Sequence, residues 1–401
     1  MASGRSPYER IKGGAVKIVI APNAFKGSLS ARDAACALEE GIKKGLESAD
    51  TLKIPMADGG DGTVDALVMA AGGKLVSKEV SGPLGRPVQA TYGMLGDGET
   101  AVIEMALASG LALVPADERN PLLATTFGTG ELIKEALDKG CRRIIIGIGG
   151  SATNDGGAGM AQALGVRLLD GSGSEIMRGG AALRGLRRID ASGLDRRVAD
   201  AQIIAASDVT NPLCGPEGAS YVYGPQKGAS AEMAGELDKA LLNFSRIVEK
   251  DLGVRVKDIP GAGAAGGLGA GLIAFLGAEM RSGVGLVMDI AGFEKAVEGA
   301  FLVITGEGKI DAQTGYGKAP GVVAEFCRGK NIPVIGVCGV LDDEIDELYA
   351  RGFAAFLPIT KAPCTPDYAM ENAYRLLADA GRNLSGLIRV LTEFPETGDS
   401  G

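Results

Sequence analysis

Histidine is absent from the 401 residues. That removes imidazole general-base chemistry, His-based zinc or iron sites and every Ser-His-Asp arrangement, leaving proton transfer to carboxylates, lysine, tyrosine, cysteine or water. Tryptophan is also absent and aromatics make up 4% of the chain, whereas glycine occurs 63 times. This balance suits Ala/Gly-packed α/β layers better than a β-sandwich. The six cysteines, Cys36, Cys141, Cys214, Cys327, Cys338 and Cys364, form no CxxC pair and read as small core residues of a reducing compartment. No GxxxxGK[ST] string occurs, so a P-loop NTPase is disfavoured. A formal charge of −9 argues against nucleic acid as a partner. Met1–Gly14 lacks the apolar run of a signal peptide and reads as a loose tail. The uncharged run Ile259–Ala278 begins with too much glycine for a membrane span and reads as a glycine-rich loop feeding a buried helix. No membrane association and a cytoplasmic location are expected.

What the chain does have is Gly147–Met160, GIGGSATNDGGAGM, placed behind the buried-strand pattern Arg143–Ile146. Glycines let backbone N–H groups wrap an anion there, with Asp155 held beside it. The recipe of glycine plus acid after an apolar run recurs at Ala57–Gly62, Ala206–Asn211 and Thr305–Asp311. Together these turns suggest an enzyme that handles phosphate and a divalent metal.

Strand patterns at Ala15–Ala21, Leu52–Met56, Ala300–Thr305, Ile332–Val337 and Phe353–Pro358, joined by helical periodicities, predict one open parallel sheet. Ser30 and Asp33 have capping-box spacing ahead of Ala34, Leu38, Ile42 and Leu46. Lys74–Val80, Pro87–Leu95 and Thr100–Glu104 alternate and predict an antiparallel excursion with a hairpin at Gly96–Gly98. The sheet domain is therefore split, with residues 15–73 and 292–392 on either side of an inserted α/β domain, 74–291, after the tail 1–14. Gly72, Gly73 and Gly292 are the expected hinges.

Six candidate groups follow, each with a competing structural reading. Asn23, Lys26 and Ser28 would hold a phosphate or carboxylate at a helix mouth, or form a polar loop. Asp58, with Gly59, Gly60 and Asp61, would bring a metal carboxylate close to a ligand, or make an ordinary turn. Gly149, Gly150, Ser151, Thr153, Asn154 and Asp155 would bind phosphate, or cap a helix. Asp208 and Asn211, and separately Lys227, would add a metal ligand and polar contacts, or belong to plain turns. Glu307, Lys309 and Asp311 would make a metal–phosphate ion pair on a sharp loop, or a surface salt bridge.

These residues lie in stretches similar to the bacterial glycerate kinase family, of the type that includes the glycerate 2-kinases. The resemblance runs in order through Ile20–Ser30, Met56–Thr63, Gly82–Gly85, Ile103–Ala106, Asn120–Leu122, Thr125–Leu132, Gly149–Gly157, Asp208–Leu213, Gly224–Ala229, Pro260–Gly267 and Thr305–Thr314. Asn23-Ala24 stands where the family often has Asp-Ser, and Asp61 where Glu is common.

The resemblance implies ATP-dependent phosphorylation of D-glycerate, on a flavodoxin-like open parallel sheet domain with a large inserted α/β domain and the active site in the cleft between them. On that reading 2-phosphoglycerate is the favoured product, within organic acid catabolism, and phosphorylation at the other hydroxyl stays open. Asp155 is then the expected base, Lys26 and Lys309 offset phosphate or carboxylate charge, and Asp58, Asp208, Glu307 and Asp311 are the expected Mg²⁺ ligands. The rival reading is a non-catalytic sensor that kept the cleft and lost transfer.

Overall fold

The computed structural model describes residues 16–393. The expected N-terminal tail lies outside the described residues. In chain order the strands are β1 (Lys17–Pro22), β2 (Asp50–Lys53), β3 (Gly73–Ser81), β4 (Pro87–Leu95), β5 (Thr100–Glu104), β6 (Arg143–Gly147), β7 (Arg167–Leu169), β8 (Arg188–Asp190), β9 (Gln202–Ala206), β10 (Glu279–Arg281), β11 (Leu302–Ile310), β12 (Val334–Leu341) and β13 (Phe353–Pro358). Contacts divide them between two compact units, one up to Ala57 and from Val287 onward, the other Asp58–Leu286.

The first unit carries a sheet in the order β13-β12-β11-β1-β2, with every neighbouring pair parallel. Counted within the unit this is 2-1-3-4-5, the flavodoxin-like order, whose switch point falls between β1 and β11. Ile18 and Ile20 of β1 and Leu302 and Ile304 of β11 are buried with Leu38 and Ile42 of the helix Ala31–Gly45 and with Leu377 and Leu384 of the helix Ala373–Glu393. The Ser30 hydroxyl accepts from the Asp33 N–H and donates to its carboxylate at 2.7 Å, so the spacing Ser-x-x-Asp does start that first helix.

β11 differs from the expectation. The strand does not stop at Thr305 but continues to Ile310, with Glu307 opposite Cys338 and Lys309 opposite Val340 of β12. Gly306 explains why a glycine there is not a turn. A Cβ at that position would collide with the Val337 carbonyl oxygen, so the residue permits close strand approach.

The second unit carries a mixed six-stranded sheet, β10-β9-β6-β5-β4-β3. β4 runs antiparallel to both β3 and β5, the antiparallel excursion expected there, while β5, β6, β9 and β10 are parallel. The helix Thr63–Ala71 packs on β4 and β5, so it belongs to this unit. The first crossing point between units is therefore Ala57/Asp58 and not residue 74, which leaves Gly72 and Gly73 inside the second unit. Ala264–Leu276 is the buried helix expected after the glycine-rich run, with its first turn broken by left-handed Ala265, Gly266 and Gly267. A Cβ on Gly266, at φ +68°, would strike the Thr153 carbonyl, so only glycine fits against the loop it supports. Among the described residues no helix is long and apolar enough to cross a membrane. Cys141, Cys214, Cys327 and Cys338 are buried core residues, Cys36 is half-buried and Cys364 is exposed.

Candidate active site

In the second unit the last residues of four parallel strands stand in one row. Glu104 pairs with Gly147, Gly147 with Ala206, and Ala206 with Arg281. Ligands of open α/β sheets bind beyond such carboxyl ends. The segment Asp58–Gly62 lies over the row, because the Gly149 N–H donates to the Gly59 carbonyl at 3.2 Å. Gly59 itself adopts φ +82°, and a Cβ there would come within 2.6 Å of the Ala206 carbonyl oxygen. Glycines 59, 147 and 149 thus bring two loops into backbone contact, which no bulkier residue allows.

Around this row sit Asp58, Asp61, Glu104, Gly149, Gly150, Ser151 and Asp208. Asp208 accepts from the Ser282 hydroxyl at 2.6 Å and the Gly283 N–H at 3.1 Å. Its carboxyl is held above the usual range by burial first, which outweighs the Ser282 bond, with the like charge of Asp58 adding to the shift. Two carboxylates that repel, both oxygen donors, fit a hard divalent cation that takes its remaining ligands from water and substrate phosphate. Among the described residues no cluster of three or more Asp, Glu or Cys side chains gathers as a cage.

Glu104, which the residue patterns did not single out, is 5% exposed and accepts from the Val64 N–H at 2.7 Å. It caps the helix Thr63–Ala71, whose own N-cap residue Gly62 has no side chain to do so. Burial pushes its carboxyl up to about 7, against the ordinary 4.5. A group with a raised folded-state value stabilises fully below the unfolded value and loses that contribution as pH rises through the folded one. Stability of this unit should therefore fall between pH 4.5 and about 7, by about 3 kcal/mol at most. Glu104→Gln should flatten that part of a urea-midpoint profile against pH. An unchanged slope in the variant would assign the fall elsewhere.

The second half of the Gly147–Met160 loop departs from its expected role. Gly150 is exposed, but every residue from Ser151 to Met160 is buried. Asp155 is 0% exposed and its carboxylate takes five donors: Thr125 Oγ1, Thr126 N and Oγ1, Gly157 N and Gly159 N, at 2.8–3.3 Å. Burial pushes its carboxyl up, the Thr126 and glycine donors oppose that, and no face of it is left for a substrate. Asp155 is a buried anchor tying Thr125–Phe127 to the helix Ala158–Ala163, not a general base. Thr153 and Asn154 are likewise 0% exposed, with the Asn154 amide donating to Ser220 Oγ at 2.9 Å. They support the loop and do not line the site. Asn211 is also committed, accepting from the Tyr223 hydroxyl at 2.6 Å and donating to the Glu217 carbonyl at 2.8 Å. Lys227 is 2% exposed and donates to Ser151 Oγ and the Thr153 carbonyl, both at 2.7 Å. It lies beneath the loop, in contact with Ser151 and Thr153.

In the first unit the turn after β1 stands at the switch point. The Asn23 N–H donates to the Gly306 carbonyl at 2.8 Å and the Asn23 side chain accepts from the Ala24 N–H. Ser28 is turned away, its hydroxyl donating to the Met370 carbonyl at 2.7 Å. Lys26 is exposed on this turn, with no ion pair among the described residues. Glu307, Lys309 and Asp311 form an ion-pair ladder along the end of β11 and not a sharp loop. Lys309 lies 2.9 Å from Asp342 and 3.5 Å from Asp311, while Lys318 lies 3.4 Å from Asp311 and 3.9 Å from Glu307. Burial alone would raise Asp311, but Lys318 and then Lys309 hold its carboxyl below the usual range. Asp311 also caps the turn Ala312–Gly315 by accepting from Gln313 N, and Thr314 donates to Glu307 at 2.8 Å. Acids already neutralised by lysines fit a cation less well than the Asp58–Asp208 pair, which lies wholly in the other unit.

A model of the glycerate kinase family matches residues 18–389. The chain belongs to the glycerate kinase family. It is 52% identical over 375 residues to the glycerate kinase of Bacillus subtilis (strain 168), covering 94% of this chain and 98% of that one. It is 50% identical over 375 residues to the glycerate 2-kinase of Escherichia coli (strain K12), with the same coverage. A solved structure from Salmonella typhimurium LT2, of a protein assigned as glycerate kinase 2, superposes with a TM-score of 0.85 at 50% identity, over 95% of this chain and all of that chain. As a member of the glycerate kinase family the chain is a phosphotransferase, and a kinase draws its phosphoryl group from ATP.

Proposed function

We propose that this glycerate kinase transfers the γ-phosphoryl group of ATP to D-glycerate, giving 2-phosphoglycerate, in organic acid catabolism in the cytoplasm. The observation that carries the reading is the row Glu104, Gly147, Ala206 and Arg281, from which Asp208 and the two glycine loops project. Relatives at about half identity carry the names glycerate kinase and glycerate 2-kinase. Phosphoryl transfer asks a protein to align an alcohol and offset developing charge more than to supply a strong base, which a chain without histidine can do.

Mg²⁺ would be held by Asp58 and Asp208, where it would neutralise phosphate charge. The N–H groups of Gly150 and Ser151, on the loop that Gly149 ties to Gly59, present backbone donors to an oxyanion. The Lys26 ammonium, with the Lys26 and Gly27 N–H groups, would offset phosphate or carboxylate charge on the first unit, with Asn23 shaping that turn. ADP release should require both D-glycerate and Mg²⁺, and ³¹P-coupled NMR of the product should place the phosphate on the 2-hydroxyl. Absence of glycerate-dependent ADP release would overturn the activity. A 3-phosphate product would overturn only the regiochemistry.

A further inference from the structure

Lys227 is a lysine with almost no water around it. It is 2% exposed, on the turn Pro225–Lys227 that ends in left-handed Gly228, and no carboxylate lies within ion-pair distance among the described residues. Two of its three donors are spent on the loop above it, on Ser151 Oγ and the Thr153 carbonyl. An ammonium group donates only, so in this bond the Ser151 oxygen is the acceptor and its own hydrogen must point elsewhere. Ser151 is 7% exposed and follows exposed Gly150. The N–H groups of Gly150 and Ser151 have no hydrogen-bond partner among the described residues.

We infer that Lys227 is a positioning residue that turns the Ser151 hydroxyl outward, as a charge-assisted donor to an oxyanion seated on the Gly149–Ser151 loop. The oxyanion is a substrate carboxylate or a phosphoryl oxygen, which share this chemistry. The inference rests on the kinase reading only for the identity of that ligand. Each link of the chain, ammonium to Ser151 oxygen and Ser151 hydrogen to ligand, strengthens the other by polarisation.

Titration gives a second handle on the same device. Burial pushes the Lys227 amine down to about 7, and the Asp155 charge opposes it. The groups facing the amine are Ser151 Oγ, the Thr153 carbonyl and Asp155, while the backbone of Arg119 packs against Gly228. A neutral amine can accept the Ser151 proton and withdraw the donor. Bound oxyanion favours the charged amine, so affinity should fall as pH rises through about 7.

The test is calorimetric binding of D-glycerate, ATP and inorganic phosphate, each alone, to the full chain and to Ser151→Ala, Lys227→Met and the double variant, across neutral pH. Phosphate is included because it probes the loop whether or not the kinase reading holds. For whichever ligand the loop seats, each single variant should weaken binding about tenfold, the double variant no further, and Lys227→Met should lose the pH dependence. Glycerate or ATP as the affected ligand names the source of the oxyanion. Unchanged affinity of Ser151→Ala for all three ligands overturns the inference, as do additive losses. A lysine that only props up the loop would lower the urea midpoint of Lys227→Met and leave the pH dependence in place. Should that variant not fold, Ser151→Ala and the wild-type pH series decide alone, and a flat series overturns the inference.

Discussion

Replacing Asp155 by Ala should cost about 3–5 kcal/mol of stability, because it strips a fully buried acceptor from several donors that cannot reach water. Those donors come from three places in the second unit: the Thr125–Thr126 corner, the Gly157 N–H and the Gly159 N–H inside the first turn of the helix Ala158–Ala163. One carboxylate therefore holds the start of two helices together, since Thr126 also precedes Phe127–Asp138. A urea midpoint monitored by circular dichroism reads the loss, and activity should fall only in proportion to the unfolded fraction. Asp155→Asn should also be destabilised, because its amide group turns one acceptor site into a donor facing donors. An Asp155→Asn protein with a wild-type midpoint and turnover reduced a hundredfold would restore the residue to catalysis.

The opposite signature is expected at Asp208. Asp208→Asn keeps an oxygen for Ser282 and Gly283, gives up only the long 3.4 Å bond from the Val284 N–H, and removes the charge. Turnover should fall by about two to three orders of magnitude, the scale of losing an interaction aimed at transition-state charge. The Mg²⁺ concentration for half activity should rise, and the urea midpoint should stay or increase, because burial of the carboxylate and its repulsion from Asp58 are both relieved. Steady-state rates across a Mg²⁺ titration, beside the urea midpoint, separate the two carboxylates. Unaltered Mg²⁺ dependence would remove Asp208 from the metal site.

Much of the architecture was legible because its signals are local. Ile18–Pro22 and Val334–Leu341 are short apolar runs of the kind buried parallel strands use, and the first half of β4 alternates as a strand with one covered face does. Glycine and acid together were a poorer guide. At Thr305–Asp311 the glycines serve the close approach of β11 to β12, so a turn reading failed, and Lys318, seven residues past Asp311, joined the ion pairs unannounced. Glu104 was overlooked because nothing adjacent marks it. Its importance comes from the Val64 N–H, brought to it from 40 positions back along the chain. Ser282 escaped in the same way, as its partner Asp208 is 74 residues away.

Sequence alone determined the kinship, the parallel sheet split around an inserted domain, and the absence of histidine and of a P-loop string, since each depends on residue identity and order. Tertiary structure decided which polar residues face outward. Ser151, Thr153, Asn154 and Asp155 look alike as a string, yet burial beneath neighbouring elements makes Asp155 a structural anchor and leaves Asp208 beside a like charge. Desolvation and hydrogen-bond saturation are set by segments distant along the chain, so no spacing rule could have assigned those roles.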